Sequence, residues 1–319
     1  MISVIICTHN PRPEYLRRVI DALKVQTLPP EQWEFLLIDN GSKEPLANSW
    51  DLTWHPHARH IREEELGLTP ARLRAIAETN TPVLVFVDDD NVLQSDYLAE
   101  AIRWLEAYPL LGCIGAGSIV PEFELQPAEE LLPYTGSLAL RNEPAAHWSN
   151  DPADRFVPWG AGLAVRRVVA GKYYEVIRSS PILTQLDRKG EGLNSCGDDE
   201  FSWQARELGL GHGIFPSLKL THLIGQKRVS RKYLLQIAEG HVYSHALLDH
   251  IHGQPGHAQF EVPGLKKVFG AALRARPGRF YYEAVRWLQY RGNSELARAF
   301  AQARHRGSQR AIAFLAGHQ

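Results

Sequence analysis

The chain has 319 residues, and its 35 lysines and arginines nearly balance its 36 aspartates and glutamates. At this length we expect one large α/β domain with a smaller appendage rather than a single core. The sequence contains no run of about 18 apolar residues that would span a membrane, and no charged segment followed by an apolar core that would mark a secretion signal. The three cysteines are odd in number and far apart, which argues against a disulfide framework or a zinc site. We therefore expect a cytoplasmic protein.

An apolar run that ends in three carboxylates is the main functional signal. Val83–Val87 is mostly β-branched and predicts an interior strand of a parallel sheet. Asp88, Asp89 and Asp90 follow directly, at the strand end where open α/β sheets bind ligands. Because adjacent carboxylates repel one another, the cluster requires Mg²⁺ or Mn²⁺, solvent, or basic neighbours. Aspartates also favour turns and helix caps, so the motif by itself leaves that alternative open.

Two further apolar runs show the same organisation. Ser3–Cys7 ends in a proline-rich segment and Phe35–Ile38 ends in Asp39–Ser42, so both predict strands with polar carboxyl ends. Between them, helical periodicity over residues 14–26 predicts a helix. Three strands separated by helical or loop segments indicate a βαβ nucleotide-binding half of an α/β protein.

Six motifs, in this order, resemble those of the inverting family 2 glycosyltransferases with a GT-A fold. They occupy residues 3–10, 37–42, 67–72, 86–90, 159–167 and 197–201. The resemblance implies a Rossmann-like nucleotide-binding mixed sheet flanked by helices. It also implies transfer of a sugar from a nucleoside diphosphate sugar to a hydroxyl acceptor, with inversion at the anomeric carbon. A UDP-sugar is the first candidate for the donor. Such a transferase would act in glycan or polysaccharide synthesis.

The resemblance assigns a divalent cation, Mn²⁺ or Mg²⁺, to the acidic motif. The metal would neutralise the negative charge that develops on the departing diphosphate. Asp90 would ligate it, and Asp88 would reach the ribose or a metal-bound water. Asp89 is a donor-binding candidate whose contact is the least certain of the three. His222 would complete the metal shell, although a single histidine at such a position can also be structural.

The other donor-binding positions come from neighbouring motifs. The resemblance implies that Thr8 and Asn10 line the base and ribose pocket and that Asp39 binds the nucleobase imide. Arg72 would approach the uracil or the diphosphate. For Asp39 the alternative is a side chain that stabilises a turn. Downstream, a basic group would clamp the diphosphate as a loop orders over the donor, or would simply be surface charge. This group consists of Lys227, Arg228, Arg231 and Lys232.

An inverting transfer needs a general base that takes the proton of the acceptor hydroxyl. Asp198, Asp199 and Glu200 open a predicted helix, and a helix dipole favours ionised carboxylates in its first turn. Aligning this helix with the family motif makes Asp198 the base and Glu200 the second acidic position. Aligning on Gly197 instead makes Asp199 the base, and of the two we favour Asp198. Without the upstream motifs, a plain charge cluster at a helix N-terminus would explain all three acids.

The acceptor side is predicted at Trp159, Gly160 and Gly162. Aromatic faces stack on sugar rings, and glycines permit a close approach to the backbone. The alternative is a plain core tryptophan. The preceding segment, residues 121–158, is rich in proline and predicts an insertion that borders the acceptor groove.

The last part of the chain is basic. From Phe260 to Gln319 it has eleven lysines and arginines against three acids. Apolar residues at helical intervals predict helices at residues 271–275, 281–290 and 295–315. These helices would pack on the catalytic domain, pair two subunits as a homodimer, or lie on an anionic membrane surface near a lipid-linked acceptor. No nucleic-acid-binding motif accompanies the charge.

We therefore expect a GT-A domain over residues 1–232 and a basic helical region over residues 233–319. Within the first, residues 1–115 would bind the nucleotide sugar. Residues 116–232 would bind the acceptor and carry the base.

Two other functions would use a similar donor pocket. A nucleotidyltransferase is one, but the sequence lacks a glycine-rich, lysine-bearing phosphate loop near its N-terminus. A catalytically inactive nucleotide-sugar-binding protein is the other. The presence of Asp88, Asp90 and Asp198 argues against it.

Overall fold

A computed structural model describes residues 1–151, 154, 156–188, 190, 192–254 and 294–317. The chain divides into two compact units, Met1–Ser230 and Arg231–Gln319. This division lies beside the boundary that the sequence predicted at residue 232. The helices predicted over residues 271–275 and 281–290 lie outside the described residues.

The first unit alternates strands and helices, as its apolar runs predicted. Its described strands are β1 (Ile2–Thr8), β2 (Trp33–Asn40), β3 (Ala58–Glu63), β4 (Val83–Val87), β5 (Asn91–Leu93), β6 (Leu111–Phe123), β7 (Arg141–Asn142), β8 (His147–Ser149), β9 (Leu163–Arg166) and β10 (Gly211–Ile224). Its described α-helices are α1 (Pro13–Lys24), α2 (Leu68–Ala77), α3 (Tyr97–Ala107), α4 (Arg167–Ser179) and α5 (Asp199–Glu207).

Ten strands of the described residues form one sheet in the order β3-β2-β1-β4-β9-β6-β10-β5, with β7 paired to β6 and β8 paired to β10. β1 is parallel to β2 and to β4, and β2 is parallel to β3. β9 is antiparallel to both β4 and β6, whereas β6 and β10 are parallel to each other. This mixed sheet confirms the predicted α/β class.

Burial explains why the central strands have unbroken apolar sequences. All five residues of β4 are buried, as is nearly all of β1, which is typical of strands covered on both faces. Helix α1 contributes an apolar stripe that includes Leu16, Val19 and Leu23. Burying each such side chain stabilises the fold by roughly 1.5–3 kcal/mol. Pro13 occupies the first turn of α1, where the backbone N–H it lacks would have no partner within the helix.

The register brings the carboxyl ends of three strands together. Thr8 at the end of β1 lies opposite Asp39 of β2, and Ile6 lies opposite Val87 at the end of β4. The polar residues that follow these strands therefore meet at one edge of the sheet. This edge carries the candidate site.

The second unit contains two long helices among its described residues, α6 (Arg231–Ile251) and α7 (Ser294–Ala316). Glu239 on α6 pairs with Arg306 and Arg310 on α7 at 2.8 and 3.1 Å. The guanidinium carbon of Arg310 also lies 4.5 Å from the ring centroid of Tyr243. Some of the basic residues of this region thus join the two helices. Among the described helices, none has the length and apolar character needed to cross a membrane.

Candidate functional site

The three carboxylates after β4 form a tight turn at the carboxyl edge of the sheet. The backbone N–H of Asn91 donates to the carbonyl of Asp88 at 3.0 Å and closes the turn. Asn91 begins β5, which pairs antiparallel with β10 and lies opposite His222. This pairing brings the predicted histidine to the predicted acidic cluster, although the two are far apart in the sequence.

Asp90 has the most cationic surroundings of the three. Its Oδ2 accepts a hydrogen bond from Nη1 of Arg228 at 2.6 Å and lies 3.4 Å from Nε2 of His222. The amide of Asn91 donates to Oδ1 at 3.0 Å. Burial alone would raise the pKa of Asp90, but His222 and Arg228 lower it well below its usual range. Asp90 therefore stays ionised and can face a cation.

Asp88 and Asp89 have raised pKa values instead. Burial is the largest cause and the charge of Asp90 is the next, and together they raise the pKa of Asp89 to about 7. The hydroxyl of Thr8 donates a hydrogen bond to Asp89. Near pH 7 and without a bound cation, the acidic turn therefore carries less than its full negative charge.

Thr8 and Asn10 stand at the end of β1, as predicted. Asn10 adopts a left-handed backbone conformation with φ of 47°, which asparagine tolerates better than most residues. Its backbone N–H donates to Oγ of Ser42, and its Oδ1 accepts the backbone N–H of Lys43, both at 2.9 Å. The loops after β1 and β2 are thereby joined into one wall of the site.

Asp39 stabilises the loop that follows β2. Oδ1 accepts a hydrogen bond from the backbone N–H of Ser42 at 2.9 Å. Oδ2 accepts one from the backbone N–H of Leu46 at 3.1 Å and another from Nη1 of Arg62 at 2.8 Å. Burial would raise the pKa of Asp39, but these hydrogen bonds lower it below its usual value. Asp39 thus has the turn-stabilising role that the sequence left as the alternative, and its contact with a nucleobase stays a prediction.

Arg72 is enclosed between two sets of carboxylates. It is 3% exposed, and its Nη1 lies 2.8 Å from Oδ2 of Asp187. Burial would lower the pKa of Arg72, but Asp187 raises it well above the usual range, and Asp198 and Asp88 act in the same direction. In this structure the direct partner of Arg72 is therefore a protein carboxylate. Its predicted approach to uracil or diphosphate stays a prediction.

The acids of the base motif differ in burial. Asp198 immediately precedes α5, is half-buried, and accepts the backbone N–H of Gly160 on Oδ2 at 2.6 Å. Asp199 is 9% exposed, and its burial together with the charge of Asp198 raises its pKa to about 7. Glu200 is fully buried, and its Oε1 accepts Nε2 of Gln204 at 2.5 Å. Among these acids Asp198 is the most accessible, and Glu200 is the least suited to contact an acceptor.

The acceptor-side tryptophan does not present two free faces. The guanidinium carbon of Arg141 lies 3.6 Å from the ring centroid of Trp159, within the range of a cation–π contact. Nη2 of Arg141 donates to the carbonyl of Val157 at 3.0 Å. Burial lowers the pKa of Arg141 to about 10, so this arginine is still charged at neutral pH. One face of Trp159 at most is left for a sugar.

Protein atoms account for both acceptor-side glycines. A β-carbon on Gly160 would lie 2.6 Å from Nη2 of Arg72 and 3.5 Å from Oδ2 of Asp198. Gly162 has a φ of 75°, and its carbonyl accepts the hydroxyl of Tyr97 at 2.6 Å. At Gly160 it is side chains of the site that approach the backbone closely, and a contact of either glycine with a sugar stays a prediction.

The basic group divides between the two units. Arg228 belongs to the first and contacts Asp90. Arg231 belongs to the second, where its Nη2 lies 2.9 Å from Oε1 of Glu295. Of this group, Arg228 contacts the acidic turn, and a donor contact of Arg231 stays a prediction.

Sequence reasoning missed Asp187 and Arg141. Asp187 lies in an irregular segment between the motifs at residues 159–167 and 197–201, and Arg141 lies in the proline-rich insertion. Neither has a local pattern that marks it. Their importance comes from contacts with distant residues, which periodicity does not report.

These features define the class of the fold, which is GT-A, with an acidic turn after the fourth strand and a base motif at a helix N-terminus. The model of glycosyl transferase family 2 matches residues 3–145. Residues 3–145, a little under half of the chain, are thus similar to glycosyl transferase family 2.

Two known proteins illustrate the similarity. The solved mannosyltransferase PcManGT from Pyrobaculum calidifontis, in complex with GDP-Man and Mn²⁺, aligns with a TM-score of 0.57 and 15% identity, over 98% of this chain and 86% of that one. The glycosyltransferase AglE from Haloferax volcanii is 29% identical over 92 residues, which make up 28% of this chain and 30% of AglE. The aligned part is thus less than a third of that relative. The first similarity shows the fold, and the second agrees with the family.

Proposed function

We propose that the protein transfers a sugar from a nucleoside diphosphate sugar to a hydroxyl acceptor with inversion at the anomeric carbon, in glycan or polysaccharide synthesis. One observation carries this proposal. Nη2 of the buried Arg72 and Oδ2 of Asp198 border the same space beside Gly160, and the charges of Asp198 and of Asp88 in the acidic turn both raise the pKa of Arg72. The groups suited to a leaving diphosphate and to an acceptor hydroxyl therefore belong to one site.

A divalent cation, Mn²⁺ or Mg²⁺, fits the acidic turn. Asp88 and Asp90 supply carboxylate oxygens, which both ions accept as ligands, and His222 adds an imidazole nitrogen. Asp90 already faces a cationic group, the guanidinium of Arg228. Nε2 of His222 lies 3.4 Å from Oδ2 of Asp90, so the two groups face the same point. The bound metal would stabilise charge on the leaving diphosphate, and the Mn²⁺ complex of the Pyrobaculum enzyme supports this assignment.

The donor nucleotide would lie at the ends of β1 and β2, against Thr8, Asn10 and Asp39. A UDP-sugar is the first candidate because of the family motifs. A GDP-sugar is the second, since the mannosyltransferase with the same fold was solved with GDP-Man. When Arg228 leaves Asp90, its guanidinium would be placed to bind the diphosphate oxygens.

Asp198 is our proposed general base. The backbone N–H of Gly160 fixes one of its carboxylate oxygens, which leaves the other for the acceptor hydroxyl. Asp199 is the second candidate, because a pKa of about 7 suits proton transfer near neutral pH. The acceptor or the transferred sugar would lie against the face of Trp159 that Arg141 does not cover. The basic second unit would hold the enzyme at an anionic membrane surface or form a homodimer.

The stereochemistry of donor turnover tests this function. UDP-glucose, UDP-N-acetylglucosamine and GDP-mannose all carry α-linked sugars, and slow transfer to water needs no knowledge of the natural acceptor. With Mn²⁺ we expect one donor to release its nucleoside diphosphate, and proton NMR at early times to show the β-anomer of the free sugar. Release of the α-anomer would contradict inversion. Nucleotide binding without any turnover would indicate the inactive binding protein instead.

A further inference from the structure

Asp187 lies outside every motif, yet it holds both sides of the proposed site. It is 5% exposed and has a φ of 68°, a left-handed conformation that is uncommon for a residue other than glycine. Its Oδ2 accepts Nη1 of Arg72 at 2.8 Å and the hydroxyl of Thr69 at 3.2 Å. Its Oδ1 accepts the backbone N–H of Gly197 at 3.1 Å. One carboxylate thus contacts the buried arginine and the residue that precedes Asp198.

The contact with Gly197 is a close one. A β-carbon on Gly197 would overlap the carboxyl group of Asp187, so the backbone of the base motif rests directly on that group. This packing gives Gly197 a structural reason to be glycine. Gly197–Asp199, which we call the base loop, is therefore anchored at its first residue.

A second connection passes through Arg72. The space beside Gly160 is bounded by Nη2 of Arg72 and by Oδ2 of Asp198, and the N–H of Gly160 donates to the same Oδ2. Because Asp187 holds the other end of the guanidinium, it fixes a group that borders the proposed base. Asp187 thus contacts the base loop directly at Gly197 and also holds an arginine that lies beside the proposed base.

We propose that Asp187 is a positioning residue that keeps the base loop and Arg72 in the arrangement required for proton transfer. This inference rests on the proposed function and adds a residue that no family motif contains. Asparagine at position 187 would preserve the shape of the side chain but remove its charge. Arg72 would then be a buried cation without its direct ion partner, and such an arrangement is destabilising. We expect its guanidinium to move toward another carboxylate of the site.

Asp187→Asn tests this role when its turnover is separated from its nucleotide binding. We expect the kcat for donor turnover to fall by about 10- to 100-fold, within the contribution of a positioned base. The dissociation constant of the nucleotide with Mn²⁺ should rise by a much smaller factor than kcat falls, because Asp187 contacts the predicted donor residue Arg72 but the acidic turn is not altered.

Two further variants make the result decisive. Glu34→Gln is the matched control, because Glu34 is a half-buried acid at the amino end of β2 that accepts the hydroxyl of Ser3 at 2.6 Å and lies 3.3 Å from Arg59. It should retain wild-type kcat. Thr69→Val removes one hydrogen bond from Asp187 but keeps its charge, so it should lower kcat by a smaller factor with the nucleotide affinity intact. If Asp187→Asn does not fold, Thr69→Val is the variant that tests the positioning role.

The outcomes separate the inference from the function. A wild-type protein that turns over no donor would overturn the proposed function itself. Active wild type with unchanged kcat in Asp187→Asn would overturn only the positioning role. An equal loss of kcat in Glu34→Gln, or a loss of nucleotide affinity that matches the loss of kcat in Asp187→Asn, would show a general structural effect and would also overturn it.

Discussion

Asp198→Asn is expected to lower sugar transfer by about 10²- to 10⁴-fold, the usual contribution of a general base. An amide has the shape of the carboxylate and can still accept the N–H of Gly160 through its oxygen, but it cannot take the proton of the acceptor. The nucleotide dissociation constant should be unchanged, since Asp198 lies at the base motif and not at the acidic turn. Release of nucleoside diphosphate at saturating donor measures the first quantity, and calorimetry with Mn²⁺ measures the second.

Asp199→Asn is the matched variant for this prediction, because the two acids are adjacent and only one of them can be the base. We expect a smaller loss of transfer in Asp199→Asn than in Asp198→Asn. Should Asp199→Asn abolish transfer while Asp198→Asn retains it, the base is Asp199 and the motif is aligned on Gly197. In that case activity should rise with pH through about 7, the pKa to which burial and Asp198 raise Asp199. Wild-type transfer in both variants would contradict a carboxylate base in this motif.

Asp90→Ala should have the second large effect, on metal-dependent nucleotide affinity. We expect a loss of at least about 100-fold with Mn²⁺, since even outer-shell substitutions at metal sites cost about 10- to 100-fold. In EDTA the variant and the wild type should bind the nucleotide equally weakly, because no metal then distinguishes them. Calorimetric titration under both conditions measures the difference. Undiminished affinity of the variant with Mn²⁺ would remove Asp90 from the metal site.

Arg228→Met is expected to change Mn²⁺ affinity at Asp90 in the opposite direction. Arg228 lies 2.6 Å from Asp90, so its guanidinium and a divalent ion compete for one oxygen. Removing the guanidinium should strengthen Mn²⁺ binding to the nucleotide-free protein, whereas Asp90→Ala should weaken it. The same substitution should weaken diphosphate binding once the metal is present, because a cationic contact is lost. Equal Mn²⁺ affinity in wild type and Arg228→Met would contradict this competition.

The sequence predicted those parts of the fold in which buried side chains form a recognisable pattern over a few consecutive residues. Ser3–Cys7, Phe35–Ile38 and Val83–Val87 lie within β1, β2 and β4 because strands covered on both faces need continuous apolar residues. Polar residues follow these strands because ligands and turns lie at their ends. Residues 295–315, predicted as a helix in the basic tail, lie within α7.

The contacts that organise the site could not be read in the same way. Arg72 and Asp187 are 115 residues apart, and their ion pair depends on how helix α2 meets an irregular segment. Arg141 covers a face of Trp159 because β7 pairs with β6. No local sequence pattern predicted this pairing. The sequence predicted a close approach to the backbone at Gly160, but not that Arg72 and Asp198 are the groups beside it. Periodicity reports whether a side chain is buried, but not which distant group it is buried against.

The most direct test of the proposed donor site is calorimetric titration of the purified protein with UDP, dTDP, GDP and CDP, each with Mn²⁺ and with EDTA. The carboxylates of the acidic turn and His222 predict that one nucleotide binds tightly with Mn²⁺ and only weakly with EDTA. Equal affinity under both conditions would contradict the metal-assisted donor site. No binding of any nucleotide to the folded protein would contradict the proposed function as a whole.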